Sequence, residues 1–157
     1  MTDFLTDEVY TMKGLVNYYI LFFIDIASRS VHIAGITPHS DNRRMMQIAR
    51  NVTDAEDGVL REGIHLIRLR PRSPNLNAFA ERFVRSIKSE CLNRMIFFGH
   101  ASLQLAISHF MAHYHTERNH QGLANQLLRP APITQFRPVR RRQRLGGMLS
   151  YYHRAAA

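Results

Sequence analysis

At 157 residues, 45% of them hydrophobic, the chain is one domain's worth with room for a tail, and it has enough apolar material to exclude a disordered protein. The 21 basic residues outnumber the 12 acidic ones, for a formal charge of +9 and a pI near 10.6, which points to an anionic partner with nucleic acid foremost. A single cysteine, Cys91, excludes a disulfide framework and a Cys-rich zinc site; a buried, inert thiol in a reducing compartment is expected.

Met1 to Phe4 lacks the basic stretch and apolar run of a secretory signal. Tyr18 to Ile24, the longest apolar run, is too short to span a bilayer and is closed by Asp25. The expected location is cytoplasmic, with no membrane partner. Phe4 to Tyr10 is rich in β-formers, and Lys13-Gly14 marks a turn. The unbroken apolar run from Tyr18 suits a central strand covered on both faces, and after a turn at Ser28 to Ser30 the segment Val31 to Ile36 returns as a third strand. Connections this short make an antiparallel meander.

Pro38 ends that strand, and Ser40 or Asp41 can cap a helix with an apolar stripe of Met45, Ile48, Ala49 and Val52, stopped at Gly58. Ile64 to Leu69 reads as another short strand. Pro71 and Pro74 make Arg70 to Pro74 a loop. From Asn77, the residues Phe79, Ala80, Phe83, Val84, Ile87 and Cys91 fall on one helical face; from Ser102, Leu103, Ala106, Ile107, Phe110, Met111 and Tyr114 do the same. Two segments follow as the domain reading, 1–129 as the folded part and 130–157 as a basic tail.

On the helix opening at Asn77, Glu81 and Lys88 lie two turns apart with Arg85 between them, and this side is expected to border the apolar stripe at the sheet's rim. A surface ion pair from Glu81 to Arg85 is the ordinary alternative use of the same residues. His109 and His113 are one turn apart, with His115 and His120 beyond; no HExxH pattern is present, the histidines are assigned to the polar flank, and no zinc site is expected. In the tail, Arg140, Arg141 and Arg142 form a basic cluster suited to phosphates rather than bases. Leu145 to His153 reads either as a small hairpin with aromatic surface or as a solvated terminus. Of the basic residues only Lys13 and Lys88 are lysines; arginine's planar fork suits phosphate oxygens, and GC-rich codon usage explains the bias equally well without explaining the net charge.

The run from Arg70 through Asn75-Leu76-Asn77, Glu81, Arg85 and Lys88 resembles the third signature segment of DDE-type integrases and transposases, where a Pro/Ser-rich loop leads into a helix with the last catalytic glutamate. His113-Tyr114-His115-Thr116-Glu117-Arg118-Asn119-His120 to Pro130 resembles the family's closing segment, and Phe23-Ile24-Asp25-Ile26-Ala27-Ser28-Arg29 its second-strand segment. The three matches run in order along nearly the whole chain. The resemblance implies an α/β, ribonuclease-H-like mixed sheet, an antiparallel three-strand meander plus a parallel strand, flanked by helices. It implies Asp3 and Glu81 as catalytic and metal-binding residues, and Arg72, Arg85 and Lys88 at DNA with the tail arginines. Asp25, though more conspicuous, is assigned to its turn, and Asp3 is expected on a frayed strand.

Phosphoryl transfer in this family uses Mg²⁺ or Mn²⁺, and two hard cations need converging oxygen ligands, one of them bridging. The family's second aspartate, which ends a strand between the first and the glutamate, has no counterpart here. Gly58 runs almost directly into Ile64 to Leu69, so one strand–helix unit is read as deleted; Asp41, Asp54 and Asp57 belong to helix ends. Three readings stay open: an integration or transposition domain degenerate at its metal site; a non-catalytic DNA-binding or oligomerisation module partnering itself or an intact transposase; or a decayed pseudogene product.

Overall fold

The computed structural model describes residues 2–39, 47, 74–130 and 138–154. The chain divides into two compact units, Met1–Val84 and Arg85–Ala157.

The first unit is built on the expected meander. Strand β1 (Thr2–Thr11) pairs antiparallel with β2 (Gly14–Ile24), and β2 with β3 (Val31–Thr37), in the order β3-β2-β1. Gly14, at φ 98°, supplies the left-handed backbone that closes the first hairpin. Residues Leu21 to Ile24 are all buried although their side chains alternate between faces, so β2 is covered on both sides. A bulge opposite Leu21/Phe22 lets β3 carry one extra residue. The frayed first strand is corrected here. Thr2 and Asp3 are in register with Phe23 and Phe22, because the apolar end of β2 gives β1 a template up to its first residue.

Helix α1 (Pro74–Glu90) starts three residues before the position expected from the periodicity. Pro74 opens it rather than ending a loop; a proline fits the first helical position because its missing N–H would have no helical partner there. Phe83, fully buried, meets the equally buried Phe22 with ring centroids 4.8 Å apart, fixing α1 on one face of the meander.

In the second unit, α1 ends and a short 3-10 turn (Leu92–Arg94) leads to β4 (Phe97–Phe98) and α2 (Gly99–Thr116). Leu103, Ala106, Ile107, Phe110 and Tyr114 form the buried stripe of α2, and Cys91 is wholly buried with its thiol 3.9 Å from the Ala106 carbonyl. Strands β5 (Val139–Arg144) and β6 (Leu149–Arg154) then form an antiparallel hairpin that touches α2. The basic cluster is thus one arm of the hairpin rather than a tail preceding it.

The elements have the composition of a ribonuclease-H-like α/β fold: an antiparallel meander with a long amphipathic helix across it and a second helix following. The helix read between Ser40 and Gly58, the strand at Ile64 to Leu69 and Arg72 lie outside the described residues. No helix among the described residues is long and apolar enough to cross a membrane.

Candidate functional site

Asp3 sits where its strand neighbours aim it at α1. Residues opposite each other in an antiparallel pair project to the same face, and Asp3 lies opposite Phe22, whose ring is against Phe83. Leu5 and Val9, of the same parity in β1, are buried on that face, and Asp3 is half-buried at its end. The Asp3 carboxylate accepts the Phe4 N–H at 2.8 Å and keeps its second oxygen for another partner.

Glu81 comes from the helix covering that face. The Arg29 guanidinium lies over the Phe79 ring at 5.4 Å, while Phe22 meets Phe83, so the first turns of α1 lie at the C-terminal end of β2. Register places the start of β1 at the same end. Asp3 and the helix that carries Glu81 therefore lie on one face and at one end of the meander, while the Glu81 side chain itself turns away from that face. Glu81 and Arg85 are solvent-exposed and Lys88 half-buried. With Phe79, Ala80, Phe83 and Ile87 defining the inward stripe, Glu81 lies roughly 145° round the helix from its middle. The expected position bordering the stripe is corrected accordingly. The alternative surface pair with Arg85 is not formed among the described residues either.

Asp25 does what its turn requires. Its carboxylate accepts the Ser28 hydroxyl at 2.5 Å and the Ala27 N–H at 3.0 Å, and Arg29 takes the left-handed conformation at φ 58°. The Ser28 bond leads a set of interactions that lower the Asp25 pKa.

Asp3 and Glu81 offer hard oxygen donors of the type magnesium takes, but two carboxylates do not complete a cage for two ions. Among the described residues no three acidic, histidine or cysteine side chains come together closely enough to hold a metal. Among the described residues the donor set therefore does not fit a two-metal centre.

The most highly organised charged group lies elsewhere, and the sequence reading passed over it. Glu117, just past α2 and 4% exposed, accepts Arg144 Nε at 2.9 Å and Nη2 at 2.7 Å, Arg142 Nη1 at 3.3 Å, and meets His113 Nδ1 at 3.1 Å. Burial pushes this carboxyl up, but hydrogen bonds from Arg144 and His113, the Arg144 charge and the Arg142 bond outweigh it and hold its pKa at about 2. Next to it, Arg118 grips Glu90 from Nε and Nη2, the shorter bond 2.7 Å, and reaches the Ser86 hydroxyl at 3.3 Å.

Three of the four histidines assigned to the polar flank are not on it. His113, His115 and His120 are all buried. His113 is there to meet Glu117, and the His120 ring nitrogen lies 2.8 Å from the Tyr114 carbonyl, one of the orphan acceptors at the end of α2. Its imidazole stands edge-on to the Tyr114 ring at 4.7 Å. The signal that could have exposed this was the unusual density of polar rings in an otherwise apolar helical period.

The three arginines expected to act together on phosphate are separated by the hairpin's alternation. Arg142 turns to Glu117, whereas Arg141 points to the opposite face and donates to the Ser150 hydroxyl at 3.0 Å. Arg140 shares Arg142's parity and is exposed.

Residues 62–127 match the family model of the integrase core domain. No curated protein and no solved structure matches the chain.

Proposed function

We propose that this chain, whose residues 62–127 belong to the integrase core domain family, serves as the DNA-acting part of a mobile-element integrase or transposase with a degenerate metal site. The observation that carries the reading is the placement of α1. It opens within the matched segment, carries Glu81, and lies across the meander face and end to which Asp3 projects. A carboxylate site at a sheet's edge would draw a ligand from such a helix, and the outward turn of Glu81 supports the degeneracy.

Integrase core domains depend in general on divalent metal ions. A bound divalent ion would supply Lewis-acid stabilisation of charge on a phosphoryl oxygen. Here Asp3 and Glu81 are the proposed surviving ligands, with weak capacity for one ion. Arg72, Arg85 and Lys88 are proposed DNA contacts, and the hairpin arginines a further set. Degeneracy is supported by the sequence between Pro38 and Pro74, where no aspartate follows an apolar run of residues.

The test is a strand-transfer assay on DNA with Mg²⁺ or Mn²⁺, run beside DNA binding over a salt series. Binding that weakens steeply with salt, and no efficient strand transfer by the wild type, are the expected results. Strand transfer abolished by Glu81→Gln would show a working site and overturn the degeneracy. The incomplete donor set also favours a second reading, a non-catalytic DNA-binding module. On that reading Asp3→Asn and Glu81→Gln leave Mg²⁺-dependent DNA affinity unchanged, whereas surviving metal ligands would make it fall.

A further inference from the structure

The β5–β6 hairpin contains five arginines and no acidic residue between Val139 and Arg154. Its two faces have different fates. The face bearing Arg142 and Arg144 turns towards α2, where both pair with Glu117 and Leu149 is buried. The opposite face carries Val139, Arg141 and Gln143 on β5, in register with Arg154, Tyr152 and Ser150 on β6. All six are exposed, Tyr152 at 64%.

Tyr152 therefore stands directly across from Arg141 and two residues from Arg154 on one flat surface. The Arg141 guanidinium is steadied by the neutral Ser150 hydroxyl, so its charge is oriented without being cancelled. An exposed aromatic ring between arginines combines a stacking platform with phosphate contacts, and it suits a strand whose bases are open to stack. A duplex can use only the charge, because its bases are already stacked on one another.

We infer that the outward face of the β5–β6 hairpin binds unpaired nucleotides, with a base stacked on Tyr152 and flanking phosphates held by Arg141 and Arg154. This rests on the DNA-acting reading above and adds to it a preference for unpaired DNA and the side chains responsible. Arg142 and Arg144 are assigned away from nucleic acid: they hold the hairpin to α2.

The test is fluorescence anisotropy on the full chain with a labelled single-stranded oligonucleotide and the corresponding duplex, each over a salt series. Tyr152→Ala is expected to weaken single-strand binding about 10-fold and duplex binding less than 2-fold, with Tyr152→Phe retaining wild-type affinity. Arg141→Gln is expected to weaken both and to reduce the salt slope by about one. Unchanged circular dichroism and thermal midpoint in Tyr152→Ala, expected from the exposure of this ring, separate loss of contact from loss of fold. Wild-type binding of DNA that neither variant alters would overturn the hairpin assignment and leave the DNA-acting reading standing. So would equal losses on single strand and duplex in Tyr152→Ala. Failure of the wild type to bind either form would overturn both.

Discussion

Replacing Glu117 by Gln keeps the side chain's shape and removes its charge, so it isolates what the carboxylate contributes. In the wild type this group is almost fully buried and takes two bonds from Arg144, one from Arg142 and one from His113. A buried pair broken on one side typically costs 3–5 kcal/mol, but the arginine side chains are 21% and 52% exposed and water recovers part of that. A loss of about 2–3 kcal/mol at pH 7 is expected, roughly 4–12 °C in thermal midpoint for a domain of this size. The pH dependence follows from the direction of the shift. The folded-state pKa is depressed from 4.5 to about 2, so the stabilisation is fully present above pH 4.5 and is lost as pH falls from there through about 2. Urea unfolding followed by circular dichroism at pH 7, 5, 4 and 3 measures it. The gap between wild type and Glu117→Gln should be constant down to about pH 5 and narrow below it. A gap under 0.5 kcal/mol at pH 7, or one that does not narrow in acid, refutes the reasoning.

Phe22→Ala empties the centre of the meander and removes the ring against Phe83; a loss of about 3–5 kcal/mol in urea unfolding is expected. Arg118→Ala removes the grip on the half-buried Glu90, where a loss of about 1–2 kcal/mol at neutral pH should be smaller at high salt. The fully buried Cys91 thiol should stay unreactive towards a thiol-specific reagent in native protein and react at once in denaturant, which a colorimetric thiol count checks.

The meander was legible because its signals are local. An apolar run for β2, a glycine at its turn and a polar turn before β3 each act within a few residues. The inward stripe of α1 was legible for the same reason, and Phe79, Ala80, Phe83 and Ile87 followed from periodicity alone. What escaped depends on partners far along the chain. Glu117 reads as an ordinary polar residue after a helix until Arg144, 27 positions on, comes back to it. The burial of His113 follows from that carboxylate, so the two were missed together. Asp3 seemed insecure because a first residue has no support of its own; its order comes from β2, the most strongly apolar strand. Of the candidate site, the face to which Asp3 projects was readable from strand parity. Glu81 was expected to border the inward stripe of α1, and its outward turn departs from that expectation.

The loop joining β5 to β6 has three consecutive residues, Leu145, Gly146 and Gly147, at φ 51°, 64° and 94°. Their geometry decides which parity of the ribbon looks inward. An added residue on one arm would exchange the two parities, presenting Arg141 to the buried carboxylate and turning Arg142 and Arg144 out to solvent. A turn with three left-handed residues thus sorts four of the hairpin's five arginines into anchors and contacts, a distinction that their chemistry alone does not make.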